Sequence, residues 1–125
     1  MDILNETQKL ILEEQKLEEM SSIRKRDYNL PVNIWIDDIG SERKTKHNIP
    51  RIKVQNDYSD TLNSRNLFSL SIEKNPKILA GEYDGIKSKD IKIIKDFVKL
   101  NEESLMKYWN QEIGLRELLS QLKEL

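Results

Sequence analysis

Apolar residues change their spacing twice along this chain, and each change marks a different kind of element. From Asn5 to Ile23 there is no glycine or proline, good helix formers dominate, and Ile3, Leu10 and Leu17 recur every seven residues with Met20 on the same seam. The spacing predicts an amphipathic helix. Its apolar stripe is narrow, because Glu6 and Glu13 take the alternate seam positions. Such a helix needs a surface to dock on, either its own domain or a second chain. Leu10, Leu17 and Met20 are the candidate interface residues of this N-terminal arm, which spans residues 1–28.

The stretch "SSIRKRDYNLP" breaks the helical period, and Leu30, preceding Pro31, is pushed toward extended backbone. In "VNIWID" the residues Val32, Ile34 and Ile36 alternate with Asn33, Trp35 and Asp37, which predicts a strand with one buried face. "DIGSERKTKHN" reads as a turn with a charged, solvated tip. "PRIKVQ" alternates again, with Ile52 and Val54 inward and Arg51, Lys53 and Gln55 outward. After the polar loop "NDYSDTLNSRN", Phe68, Leu70 and Ile72 alternate with serines in a third strand, and Lys77–Ala80 adds a short fourth at the edge.

The period then returns to 3.6. Ser88 is a candidate N-cap, Asp90 suits the positive helix end, and Ile91, Ile94, Val98, Leu105 and Trp109 fall on one face. This helix runs on to about Gln111, or breaks at Asn101 with that side chain capping a second helix. Gly114 ends it, and Leu115, Leu118, Leu119, Leu122 and Leu125 define a final amphipathic helix. The reading is an α+β fold. A three- to four-stranded antiparallel meander is covered by a long helix, with amphipathic helices at both termini and residues 29–125 forming a single domain.

Composition narrows the function classes. The 125 residues contain no cysteine, which excludes a disulfide framework, a thiolate metal site and a cysteine nucleophile. The acidic N-terminal stretch lacks the basic start and apolar centre of a secretory signal, and no run reaches the about 18 apolar residues of a membrane helix. A soluble, cytoplasmic protein without membrane contact is expected. The net charge of −1 conceals a division: residues 1–20 hold six acids and two lysines, whereas residues 24–53 hold eight bases and four acids. An acidic arm is followed by a basic module, which bears on partners more than on fold.

His47 is the one side chain with an ordinary pKa near neutrality and is the candidate acid or base; the bland alternative is a turn residue making one hydrogen bond. Asp37 and Asp38, with Glu42, match no cation loop and read as turn formers, so neither a metal nor a cofactor is expected. The strongest feature outside the core is basic. Arg51 and Lys53 share one strand face by the two-residue period, Arg43, Lys44 and Lys46 precede them, and Trp35 on the neighbouring strand falls on that face as a stacking surface. Cations beside an aromatic suit a phosphate chain or an acidic protein surface; the bland alternative is a basic face that is simply solvated. The consecutive Tyr108 and Trp109 cannot both face one core, so Tyr108 is expected at an interface and Trp109 inside.

The order "KHNIPRIKVQ", "LFSLSIE" and "GIKSKDIKIIKDFVKLNEESLMKYWNQEI" resembles the bacterial domain-of-unknown-function 4160 family over residues 32–112. Members of that family typically carry a His-x-Pro-Pro-His-x-His-Val-like strand, a second strand, and a charged helix ending like "LLEAWHE". His47, Pro50, Val54 and Trp109 match that pattern, whereas Arg51 and Lys53 stand where the family has further histidines. The resemblance implies a partner of toxin–antitoxin type rather than a metabolite. The expectation is a small non-enzymatic binding or regulatory protein of bacterial, mobile-element or phage origin. It would use Trp35, Arg43, Lys44, Lys46, His47, Arg51 and Lys53 on an acidic protein or nucleic-acid partner and could self-associate through its terminal helices. The alternatives are a ribonuclease-like toxin built around His47 and Arg51, and a structural component of an assembly held by the terminal helices.

Overall fold

Alternating residues that share one face of a pleated strand end up directly opposite one another when strands pair antiparallel, and the sheet is built on that rule. A computed structural model describes residues 21–36 and 49–125. Strands β1 (Ser21–Ile23), β2 (Ile34–Ile36), β3 (Arg51–Gln55), β4 (Leu67–Ser71) and β5 (Ile78–Ala80) form one antiparallel meander in that order. The register aligns Ile23 with Ile34, Ile34 with Val54, Ile36 with Ile52, Ile52 with Leu70 and Val54 with Phe68. A continuous apolar face results.

The described sheet has five strands rather than three or four. The additional strand, Ser21–Ile23, lies where the helical period was extended to Ile23, so that period stops short of Ser21. The chain reaches β2 through a 3₁₀ turn at Lys25–Asp27 and through Asn29, whose φ of 55° is a left-handed conformation that asparagine tolerates. The Lys25 amide donates to Asn33 Oδ1 at 2.9 Å, which fixes the turn against the start of β2.

Three helices follow: α1 (Ser88–Leu100), α2 (Glu102–Trp109) and α3 (Leu115–Gln121). Ile91, Ile94, Phe97 and Val98 of α1, Leu105 and Tyr108 of α2, and Leu118 with Leu122 join the apolar sheet face in a single core cluster. The cover is thus divided rather than one long helix. The break falls at Asn101, but its side chain does not cap α2. It donates to the Phe97 and Lys123 carbonyls, both at 3.0 Å, and accepts the Lys123 amide at 2.8 Å, tying the C-terminal segment to the helix junction. The stop after α2 lies at Gln111 rather than Gly114. Gln111 has a φ of 61°, its amide donates to the Tyr108 carbonyl at 3.0 Å, and the Glu112 amide donates to that of Lys107 at 2.8 Å. Gly114 instead precedes α3 as its N-cap. Of the five leucines in the final segment, Leu118 and Leu122 reach the core, while Leu115, Leu119 and Leu125 stay exposed.

Tyr108 and Trp109 are both buried, at 4% and 2% exposure. Tyr108 is therefore a core residue rather than a surface anchor. Its hydroxyl pairs with the Ser21 hydroxyl at 2.6 Å, linking α2 to β1 across most of the chain.

Candidate functional site

The β2–β3 pair brings three of the candidate residues together. Trp35 lies directly opposite Lys53, Lys53 opposite Ser69, and Arg51 opposite Ser71, so the two cations and the indole share the sheet face that does not carry the core cluster. Lys53 Nζ donates to Ser69 Oγ at 2.8 Å. The Arg51 guanidinium donates to the Ile49 carbonyl at 3.2 Å and lies 5.9 Å from the centre of the Trp109 ring, within cation–π range. Both cations are half-buried. Trp35 occupies the expected face, but its ring is enclosed at 1% exposure rather than open for stacking.

Arg43, Lys44, Lys46 and His47 lie outside the described residues, as do Leu10, Leu17 and Met20 and the acids Asp37, Asp38 and Glu42. The connection that contains Arg43, Lys44, Lys46 and His47 leaves β2 after Ile36 and rejoins at Arg51, at the end of the hairpin where Ile36 pairs with Ile52.

At the other end of β3 the polar loop is organised by residues that the two-residue period assigned to the outside. Gln55 is fully buried and acts as a hub. Its amide nitrogen donates to Asp57 Oδ1 at 2.6 Å and to the Ser59 and Thr61 carbonyls at 3.2 and 3.1 Å. Its oxygen accepts the Asn63 amide at 3.0 Å and Asn33 Nδ2 at 3.4 Å. Asp57 in turn accepts the Ser59 amide at 2.9 Å and Asn63 Nδ2 at 3.2 Å. Partial burial acts to raise the Asp57 carboxyl, but the hydrogen bonds from Gln55, Ser59 and Asn63, aided by the Lys25 charge, outweigh it and hold the group below its ordinary range.

A second junction ties this loop to α1. The Tyr58 hydroxyl donates to Asp90 Oδ2 at 2.5 Å and accepts the Lys87 amide at 2.8 Å. Ser88, the expected N-cap, is instead the first residue of α1. Lys87 holds the cap position without a side-chain cap bond, and Tyr58 satisfies its amide from a distant loop. The hydrogen bond to Asp90 is the main reason the Tyr58 hydroxyl is harder to ionise than an ordinary tyrosine. Lys25 completes the junction, donating to the Tyr58 carbonyl at 2.6 Å and pairing with Asp60 at 2.9 Å.

Among the described residues every buried side-chain nitrogen and oxygen has a hydrogen-bond partner, and no group of three or more His, Cys, Asp or Glu side chains could hold a metal ion. No helix of the described residues is long and apolar enough to cross a membrane. Comparison of the chain with protein-family models, curated proteins and solved structures finds no match.

Proposed function

We propose that this chain is a small binding or regulatory protein that engages an acidic protein surface or a nucleic acid through its basic β2–β3 hairpin. One observation carries the reading. The register sets Arg51 and Lys53 on a common face at the base of a connection whose sequence holds Arg43, Lys44, Lys46 and His47. Positive charge concentrated at one end of a sheet attracts carboxylates or phosphates and releases counterions on contact. Arg51 and Lys53, held against Trp109 and Ser69, supply a positioned base, and the connecting sequence adds the further positive charges of Arg43, Lys44 and Lys46. The toxin–antitoxin or phage accessory setting rests on the family resemblance alone.

Fluorescence anisotropy with two labelled probes, a single-stranded oligonucleotide and a glutamate-rich peptide, tests the reading. Binding of at least one probe is expected, weakening by about tenfold or more between low and physiological salt. Arg43→Glu, Lys44→Glu and Lys46→Glu combined should abolish it while leaving the folded strands in place. Failure of both probes to bind, or binding unaffected by the triple reversal, would overturn the proposal.

A further inference from the structure

Two loops lie side by side at the end of the sheet opposite the basic hairpin, and the hairpin function makes no use of them. The first, Asn56–Asn66, closes on itself: the Asn56 amide donates to the Asn66 carbonyl at 2.9 Å, and the two side chains meet at 3.3 Å. With its ends joined and its interior filled by the Gln55 hub, it is an Ω-loop, a class of surface loop often used in recognition. The second loop, Gly81–Lys87, is fastened along it. Asp84 Oδ1 accepts Asn56 Nδ2 at 3.1 Å, the Gly85 amide donates to Asn56 Oδ1 at 2.7 Å, and the Lys87 amide reaches Tyr58. The approach is so close that a Cβ on Gly85 would collide with the Asn56 carbonyl oxygen.

Two aromatic rings stand out from this rigid base. Tyr58 is 41% exposed and Tyr83 is 51% exposed, although both rings are anchored. Tyr58 is held by its hydroxyl, and Tyr83 by an edge contact with Phe68 at 6.2 Å between ring centres. Around them are the exposed acids Asp60, Glu82 and Asp84, and the exposed bases of the two loops are Arg65 and Lys87, so that with the half-buried Asp57 acids outnumber bases by four to two. Asp60 keeps 91% of its side chain open even while it touches Lys25. Tyrosine, asparagine, serine and aspartate on a preformed loop are the materials of a protein-recognition surface: rigid aromatic area combined with hydrogen-bonding groups, with little conformational entropy left to lose.

We infer that the paired loops form a recognition surface for an arginine- or lysine-rich segment of a protein partner, with Tyr58 and Tyr83 offering ring faces to the cations and Asp60, Glu82 and Asp84 offering carboxylates. Charge complementarity selects this occupant over an acidic one, and aromatic faces add cation–π attraction that simple acidity lacks. The molecule then has two ends of opposite sign. This surface stands whether or not the basic hairpin binds what is proposed for it.

The test is a titration of the ¹⁵N-labelled full chain with a synthetic arginine–glycine peptide, and with its glutamate–glycine counterpart, followed by amide chemical shifts. Saturable shifts confined to residues 57–61 and 82–85, seen with the arginine peptide alone, are expected. Affinity should fall by about tenfold in the Glu82→Gln, Tyr83→Ala double variant. Glu82→Lys, a surface reversal away from the Phe68 contact, should weaken binding in the same direction and keeps the test open if the double variant misfolds. Shifts located elsewhere, an equal response to the glutamate peptide, or affinity unchanged in the variants would overturn the inference. Concentration-dependent shifts of the same amides without peptide would also overturn it, because they would assign the surface to a second copy of the chain.

Discussion

Replacing Gln55 by leucine would keep nearly the same volume at a fully buried position and delete five hydrogen bonds at once. Each neutral bond is worth about 1 kcal/mol net, and a buried partner left without one costs about 1–3 kcal/mol. The five losses do not simply add, since the loop can lift and return the Ser59 and Thr61 carbonyls and the Asn63 amide to water. Asn33, itself 1% exposed, keeps the Ser59 and Asp60 carbonyls as acceptors at 3.3 and 3.4 Å only while the loop stays down. The expected loss is about 2–4 kcal/mol, equivalent to roughly 6–15 °C in Tm for a chain of this size. Urea unfolding followed by the fluorescence of Trp35 and Trp109 measures the loss, and amide hydrogen exchange locates it. Residues 57–63 should lose protection while β3 and β4 keep theirs. A change below about 0.5 kcal/mol, with the Asn63 amide as protected as in the parent, would refute the claim that Gln55 organises the loop.

Other outcomes follow from the same contacts. Tyr58→Phe removes the acceptor of the Lys87 amide and the donor to Asp90, so the first turn of α1 should exchange faster while the sheet is unchanged, as read by hydrogen exchange. Because the folded Asp57 carboxyl lies below its unfolded value, its stabilising contribution is complete above the unfolded pKa of about 4 and is lost as pH falls through the folded one. Acid unfolding curves should therefore show an Asp57-dependent loss below about pH 4 that is absent in Asp57→Asn. Tyr28, raised chiefly by burial and then by Asp27 and Glu124, and Tyr58, raised by Asp90, work in the opposite sense. Their contribution is intact below about pH 10 and disappears as pH rises through the folded values, so alkaline unfolding should coincide with tyrosinate absorbance. Asn101→Ala should cost about 2–3 kcal/mol by thermal unfolding, since the Lys123 amide and carbonyl lose their partners at the helix junction.

Strong periodicity was readable directly. Ile34, Ile36, Ile52, Val54, Phe68 and Leu70 fall on the buried face that their alternation indicates, and β5 lies within the stretch expected for an edge strand. The failures share a physical origin in side chains whose partners are distant in sequence. Gln55 has the spacing of an outward residue, but the loop that follows it folds back over its amide, and only the density of Asn, Asp and Ser in "NDYSDTLNSRN" hinted that so many local acceptors were available. Tyr58 caps a helix some 30 residues downstream, which no local capping pattern can encode. The three residues of β1 are too few to display a period of two after a long helical one. Of the candidate site, the sequence located Arg51, Lys53 and Trp35 on one face, but it could not show that the indole is covered.

Three residues at the start of the sheet have a further consequence. Ser21, Ser22 and Ile23 pair with Ile36, Trp35 and Ile34, so β1 covers the whole outer edge of a strand whose every side chain is buried. Without it, β2 would present open amides and carbonyls flanked by two isoleucines and a tryptophan, the profile of an aggregation template. The first strand therefore acts as a guard. A chain trimmed to begin at Ser21 should remain monodisperse as far as this edge is concerned, whereas one trimmed to begin at Asn29 should accumulate as mispaired multimers, whatever its helices do.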